Sequence, residues 1–227
     1  IFSLFLLLLS ANTFAQNPGA SLSQGENGPL SAPLDPMAWR NGNLNAQQSH
    51  YIEGHSIPYR LIMINMPVNQ EVTLTLGYDI VNGGKYALDF ITDYRQLQPH
   101  GFANHPNEEE VNPLLPGLLV APTSTMPVTM PSYLAPANDG ISGVANARNE
   151  FLALQGAGET ILSIWNANFN QEYGVTYQYF QNSNVISATE VLNLAGNDKK
   201  VQFTIKFTPT TSTVTLAWGG HIALRQD

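Results

Sequence analysis

Val72-Thr73-Leu74-Thr75-Leu76-Gly77-Tyr78-Asp79-Ile80-Val81, followed at once by Asn82-Gly83-Gly84, is the stretch that decides the fold class. Val72, Leu74, Leu76, Tyr78 and Ile80 alternate with Thr73, Thr75, Gly77 and Asp79. That period of two belongs to a strand with one face in a core and the other in water. The glycines after Asn82 supply positions that tolerate positive φ, as a tight turn needs. The pattern therefore predicts an antiparallel hairpin of 72–81 with 86–94, Leu74 and Leu76 facing inward.

Working outward, 56–66, 160–165, 173–180, 201–207 and 214–218 are rich in Ile, Leu, Val, Thr, Tyr and Phe and read as further strands, with 209–212 as the turn between the last two. Between the halves lies 96–136, where Pro99, Pro106, Pro113, Pro116, Pro122, Pro127, Pro131 and Pro136 block helix interiors and central strands. A long Pro-rich insertion is expected there, and such loops often carry function. Residues 146–154 form the one expected short helix. Without βαβ alternation the architecture is all-β: an antiparallel β-sandwich, jelly-roll-like or immunoglobulin-like.

At the N-terminus, 2–9 is an apolar run followed by small and polar residues up to Ala15, the pattern of a secretory signal peptide. The run has about half of the roughly 20 apolar residues a spanning helix needs. Cleavage is expected after Ala15, so the chain begins inside its signal, and 16–38, rich in Gly, Pro, Ser and Asn, reads as a mobile leader. Residues 39–227 are expected to be a single sandwich module cut short at its C-terminal end. Charged residues are 11% of the chain and cysteines number 0, so disulfides, thiol catalysis and Cys-ligated zinc are excluded and the hydrophobic core must hold the domain. A formal net charge of -8 argues against nucleic acid and anionic membrane as partners.

Three blocks carry a resemblance. The first is Trp39-Arg40-Asn41-Gly42-Asn43-Leu44-Asn45 with Ser49-His50-Tyr51-Ile52-Glu53-Gly54-His55-Ser56-Ile57-Pro58-Tyr59-Arg60. The second is Gly84-Lys85-Tyr86-Ala87-Leu88-Asp89-Phe90-Ile91-Thr92-Asp93-Tyr94, and the third Leu216-Ala217-Trp218-Gly219-Gly220-His221-Ile222-Ala223. In this order they resemble an all-β module of large secreted bacterial cell-surface proteins. The resemblance implies a multidomain surface protein, often with repeats and an anchoring or sorting end downstream, and no established reaction. It does not extend to the Pro-rich middle.

Of the histidines His50, His55, His100, His105 and His221, none falls in a His-Glu-x-x-His pattern. A metal site built from His55, Asp89 and His221 is the one candidate, against a plainer reading in which His221 closes a strand end. Asp79, Asp89 and Asp93 offer carboxylates for glycoside chemistry; Asp89 is expected instead to pair with Arg60 or Lys85. Glu108-Glu109-Glu110 reads as a solvated loop, and Asn138-Asp139-Gly140 as a turn. Gly140-Ile141-Ser142-Gly143-Val144 lacks the spacing of a nucleophile elbow, and Gly84-Lys85 has no P-loop before it. Gly83-Gly84 and Gly219-Gly220 mark turns or close backbone approach. Tyr173, Tyr177 and Tyr179 share a parity, on a core face or on an exposed strip for sugar rings.

The expectation from sequence is a non-catalytic structural or adhesive module, secreted or at the cell surface. It has no cofactor, no catalytic residue, no membrane span in the mature chain, and a surface glycan or another protein as partner. Tyr59, Arg60, Asp89, Trp218, Gly219, Gly220 and His221 are expected to form a structural cluster. A carbohydrate-binding module is the alternative, ahead of a glycoside hydrolase-like or metal-binding domain.

Overall fold

The computed structural model describes residues 17–96, 108–114, 120–134, 144–192 and 198–223. Residues 1–15, where a signal peptide is expected, Asn138-Asp139-Gly140, His100 and His105 lie outside them. The described residues form two antiparallel sheets packed face to face, a β-sandwich.

The first sheet contains β1 (Gly19–Glu26), β2 (Ala38–Asn41), β3 (Ser56–Ile64), β6 (Leu88–Thr92), β7 (Ser124–Met126), β8 (Leu162–Trp165) and β13 (Val214–Ile222), in the order β2-β1-β3-β13-β8-β7. The edge of β13 away from β3 is shared, by β8 at Thr215–Ala217 and by β6 at Gly219–Ile222. The second sheet runs β11 (Asn184–Ile186), β10 (Thr176–Gln181), β12 (Lys199–Pro209), β4 (Val72–Asn82), β5 (Lys85–Tyr86), with β9 (Ala167–Phe169) also on β12. Pairing β3 with β13 and β4 with β12 nests an early strand with the last and its successor with the last but one. Of the two expected layouts this nesting is the jelly-roll-like one.

Three connections cross between the sheets side by side at one end: β3 to β4, β8 to β9 and β12 to β13. They bond to each other: Met66 N–H donates to Ser212 O (3.0 Å), Asn69 N–H to Pro209 O (2.8 Å) and Thr210 N–H to Asn166 O (2.8 Å). Asn65, Asn69 and Asn166 take φ of 58, 61 and 62° at these corners, a left-handed conformation that asparagine tolerates better than other side chains.

The core lies between the sheets. Leu74 and Leu76 face it from β4, Phe203 and Ile205 from β12, and Leu216 and Trp218 from β13. Along β12 buried and half-buried residues alternate, whereas β13 is buried at every residue but the last. The outer face of β13 is covered too, by a smaller cluster of Met37, Tyr94, Val111, Trp165 and Ala217. The helix α1 (Val144–Gly156) spans the expected 146–154 and sets Phe151 edge-on to Phe90, ring centroids 5.3 Å apart.

Four expectations need correction. The hairpin after β4 is short: β5 pairs only Val81 with Tyr86 and Asn82 with Lys85 around Gly83 and Gly84, and β6 then crosses to the first sheet. Ala87 is the crossing point, its N–H on Ile80 O and its carbonyl accepting from Ala223. The leader expected at 16–38 is not mobile over its described residues, 17–38, since β1 within it pairs along β3 from Gly19↔Ile64 to Gln24↔Tyr59. Backbone pairing supplies the order there that few apolar side chains would. In the Pro-rich stretch, β7 forms at the sheet edge between Pro122 and Pro127, where proline is tolerated, and Val128, Tyr133 and Leu134 are buried. Glu109, finally, is buried instead of solvated.

Candidate functional site

β3, β6 and β13 lie side by side, so the structure brings most of the expected cluster together. Tyr59 and Trp218 are register partners and stack with centroids 5.8 Å apart at 15°. The glycines are required by close approach. A Cβ on Gly220 would stand 2.9 Å from both Leu88 Cδ1 and Tyr59 Cε2, and one on Gly219 would meet Thr92 Oγ1 and Asp93 O.

Arg60 does not pair with Asp89. It points away from the core, with its guanidinium 4.7 Å from the Trp39 ring centroid and Nη1 donating to Pro113 O at 3.3 Å. Successive residues of a strand face opposite sides, so with Tyr59 inward Arg60 must face outward. Asp89 lies instead against His221, Oδ2 to Nδ1 3.5 Å, while Glu150 of α1 approaches the other ring nitrogen, Oε2 to Nε2 2.8 Å. The imidazole also stacks on Phe90 at 4.4 Å and 6°. Burial opposes the charge on His221, but the two carboxylates outweigh it and push its pKa up to about 9. It is therefore an imidazolium at neutral pH, joining α1 to β6 and β13.

That geometry bears on the metal candidate. Asp89 and Glu150 sit on opposite edges of one ring, so they cannot share a cation with it. His55 is held at the start of β3 by backbone bonds, its carbonyl accepting from Ile222 N–H at 2.8 Å. Among the described residues no group of three or more His, Asp or Glu side chains is arranged to hold a metal.

A second buried polar cluster had no signal in the sequence beyond the isolated letters. Asn27 donates through Nδ2 to Glu109 Oε1 (2.9 Å) and accepts from His50 N–H at Oδ1 (3.1 Å). His50 Nδ1 lies 2.7 Å from Gly28 O, so it carries a proton, and Nε2 lies 3.4 Å from Glu109 Oε1. The three residues tie the chain after β1 to the loops at 50 and 109.

The candidate site is a cleft of about 330 Å³ at the end of the sandwich opposite the three crossings. Tyr51, Tyr59 and Tyr86 line it with Gln24, Asn43 and Asp79, over apolar Ile57, Leu88 and Ile222. Apart from Gln24 and Asp79, every lining residue falls within the three blocks quoted above. Gln24 is register partner of Tyr59 and 8% exposed, and its amide has no hydrogen-bond partner among the described residues. Tyr51 donates its hydroxyl to Gly25 O at 2.9 Å. Asp79 accepts from Asn82 Nδ2 at 3.0 Å and lies 3.9 Å from Lys200 Nζ; burial pushes its pKa up. Asp79 is the only carboxylate among the described residues of the cleft. Asp93 is bound by Arg95 through Nε at 2.9 Å, and Asp89 lies against His221, so among the described residues no carboxylate pair faces this cleft.

Tyr177 and Tyr179 turn inward, their hydroxyls on Thr129 O (2.9 Å) and Ser132 (3.0 Å), while Tyr173 carries Lys206 Nζ 4.8 Å from its ring centroid. They form no exposed strip. No protein-family model matches the chain, nor does any curated protein or solved structure.

Proposed function

We propose that the chain is a non-catalytic structural or adhesive module of an exported, multidomain cell-surface protein. One observation carries the non-catalytic part: the buried ionisable side chains His221, Asp89, His50 and Glu109 connect separate elements of the fold, while the cleft offers a single carboxylate among the described residues. Glycoside hydrolysis needs a pair about 5–10 Å apart. The apolar run at 2–9 and the 0 cysteines support export and a fold held by its core.

The test is expression with the natural upstream sequence, protease shaving of intact cells, and N-terminal sequencing. Shaved fragments and a mature terminus at or near Gln16 are expected. Retention inside the cell with 2–9 intact, or turnover of chromogenic glycosides, overturns the reading. A carbohydrate-binding module is the second reading, favoured by the tyrosine-lined cleft.

A further inference from the structure

We infer that the cleft lined by Gln24, Tyr51, Tyr59, Asp79 and Tyr86 binds a neutral sugar, a monosaccharide or the terminal unit of a glycan. The inference rests on the non-catalytic reading and deepens it.

Gln24 carries the argument. Gln24 is 8% exposed and lines the cleft, and its amide, which has no hydrogen-bond partner among the described residues, opens onto the cleft. Its donors and acceptor are therefore left to whatever fills the cleft, water or a ligand hydroxyl. The amides of Gln24 and Asn43 each offer donors and an acceptor, and Asp79 offers acceptors. Vicinal hydroxyls, which donate and accept at once, match that set.

The rest of the lining excludes other ligands. No Lys or Arg lines the cleft among the described residues, and the chain carries -8, so phosphates and carboxylates are repelled. Calcium needs about 6–8 oxygens, and Asp79 is the only carboxylate here among the described residues. The half-buried Tyr51 and Tyr86 offer phenol rings whose apolar faces suit the C–H side of a pyranose beside their polar rims, whereas Tyr59, 3% exposed and stacked on Trp218, belongs to the core. A volume of about 330 Å³ lies at the small end of ligand sites, about 300–1,000 Å³, which suits a small sugar better than a peptide.

The experiment uses saturation-transfer NMR with glucose, galactose, mannose and N-acetylglucosamine, and a glycan array probed with the same protein. The wild-type chain is compared with Gln24→Ala, Tyr86→Ala and Gln202→Ala, the last in a separate groove with Asp198 and Lys200. Saturable binding of at least one sugar is expected, weakened about five- to tenfold by Gln24→Ala and Tyr86→Ala and unchanged by Gln202→Ala. Tyr86 is half-buried, so its variant keeps the test open if Gln24→Ala fails to fold. Array binding that free monosaccharide competes away supports the inference, and array binding that it cannot displace, which requires contacts beyond a single sugar unit, overturns it. Absence of binding in both formats, or binding untouched by Tyr86→Ala, overturns the inference and leaves the non-catalytic reading standing. Hydrolysis of the array glycans would overturn that reading instead.

Discussion

His221 sits with its ring against Phe90 and a carboxylate at each nitrogen. Its pKa stands at about 9 against an ordinary 6.5, so the folded state holds the proton more tightly than the unfolded chain. The resulting stability is fully present below pH 6.5 and is lost as pH rises through 9. The shift corresponds to roughly 3 kcal/mol at most, reduced by solvent screening because the Glu150 side chain is 45% exposed. Melting temperature should therefore fall between pH 7 and 10, and His221→Gln should flatten that dependence while lowering Tm at pH 7; a wild-type profile as flat as the variant's would refute the charged clamp. The glycines of the same strand give a ranked prediction. Gly220→Ala meets a Leu88 methyl and the buried Tyr59 ring, side-chain atoms only, and should cost about 1–3 kcal/mol. Gly219→Ala meets the backbone carbonyl of Asp93 as well and should cost more, which chemical denaturation can rank.

Among the elements, β1 illustrates how pairing substitutes for apolar content. Its inward contributions are Leu22 and Gln24, yet its backbone closes the edge of β3 and leads into the Asn27–His50–Glu109 cluster. Deleting 17–26 should therefore lower Tm strongly or abolish folding, and amides of β1 should be protected from hydrogen exchange. Free exchange throughout β1 would restore the mobile-leader reading. The cluster gives a point test: Glu109→Ala strands the Asn27 amide and should cost about 1–3 kcal/mol, whereas Glu110→Ala, on the exposed neighbour, should cost little.

At the scale of the molecule, one continuous core joins both sheets, and the smaller cluster packs on the outer face of β13. Trp218 reports from the first, Trp165 from the second. With β13 common to both, thermal unfolding followed by tryptophan fluorescence and by far-UV circular dichroism should give coincident transitions. Separate midpoints would show that the outer cluster melts independently.

Strand identity was legible in the chain itself, because alternation along 72–81 and 201–207 sets which side chains can share a face, and that is a local property of the backbone. The absence of disulfides and the helix near 146–154 were legible for the same kind of reason. Partnership was not. β6 follows β5 through Ala87 yet bonds to β13, more than a hundred residues away, because the sandwich closes there and hydrogen bonds follow proximity in space. Asp89 took His221 in place of Arg60 because strand parity turns Arg60 outward, which no inventory of charges reveals. Gln24, in a stretch whose composition reads as disordered, enters the cleft only because β1 pairs with β3. Local alternation follows from neighbours in sequence, whereas pairing, burial of polar groups and the shape of a cleft depend on residues far apart that only the tertiary fold brings into contact.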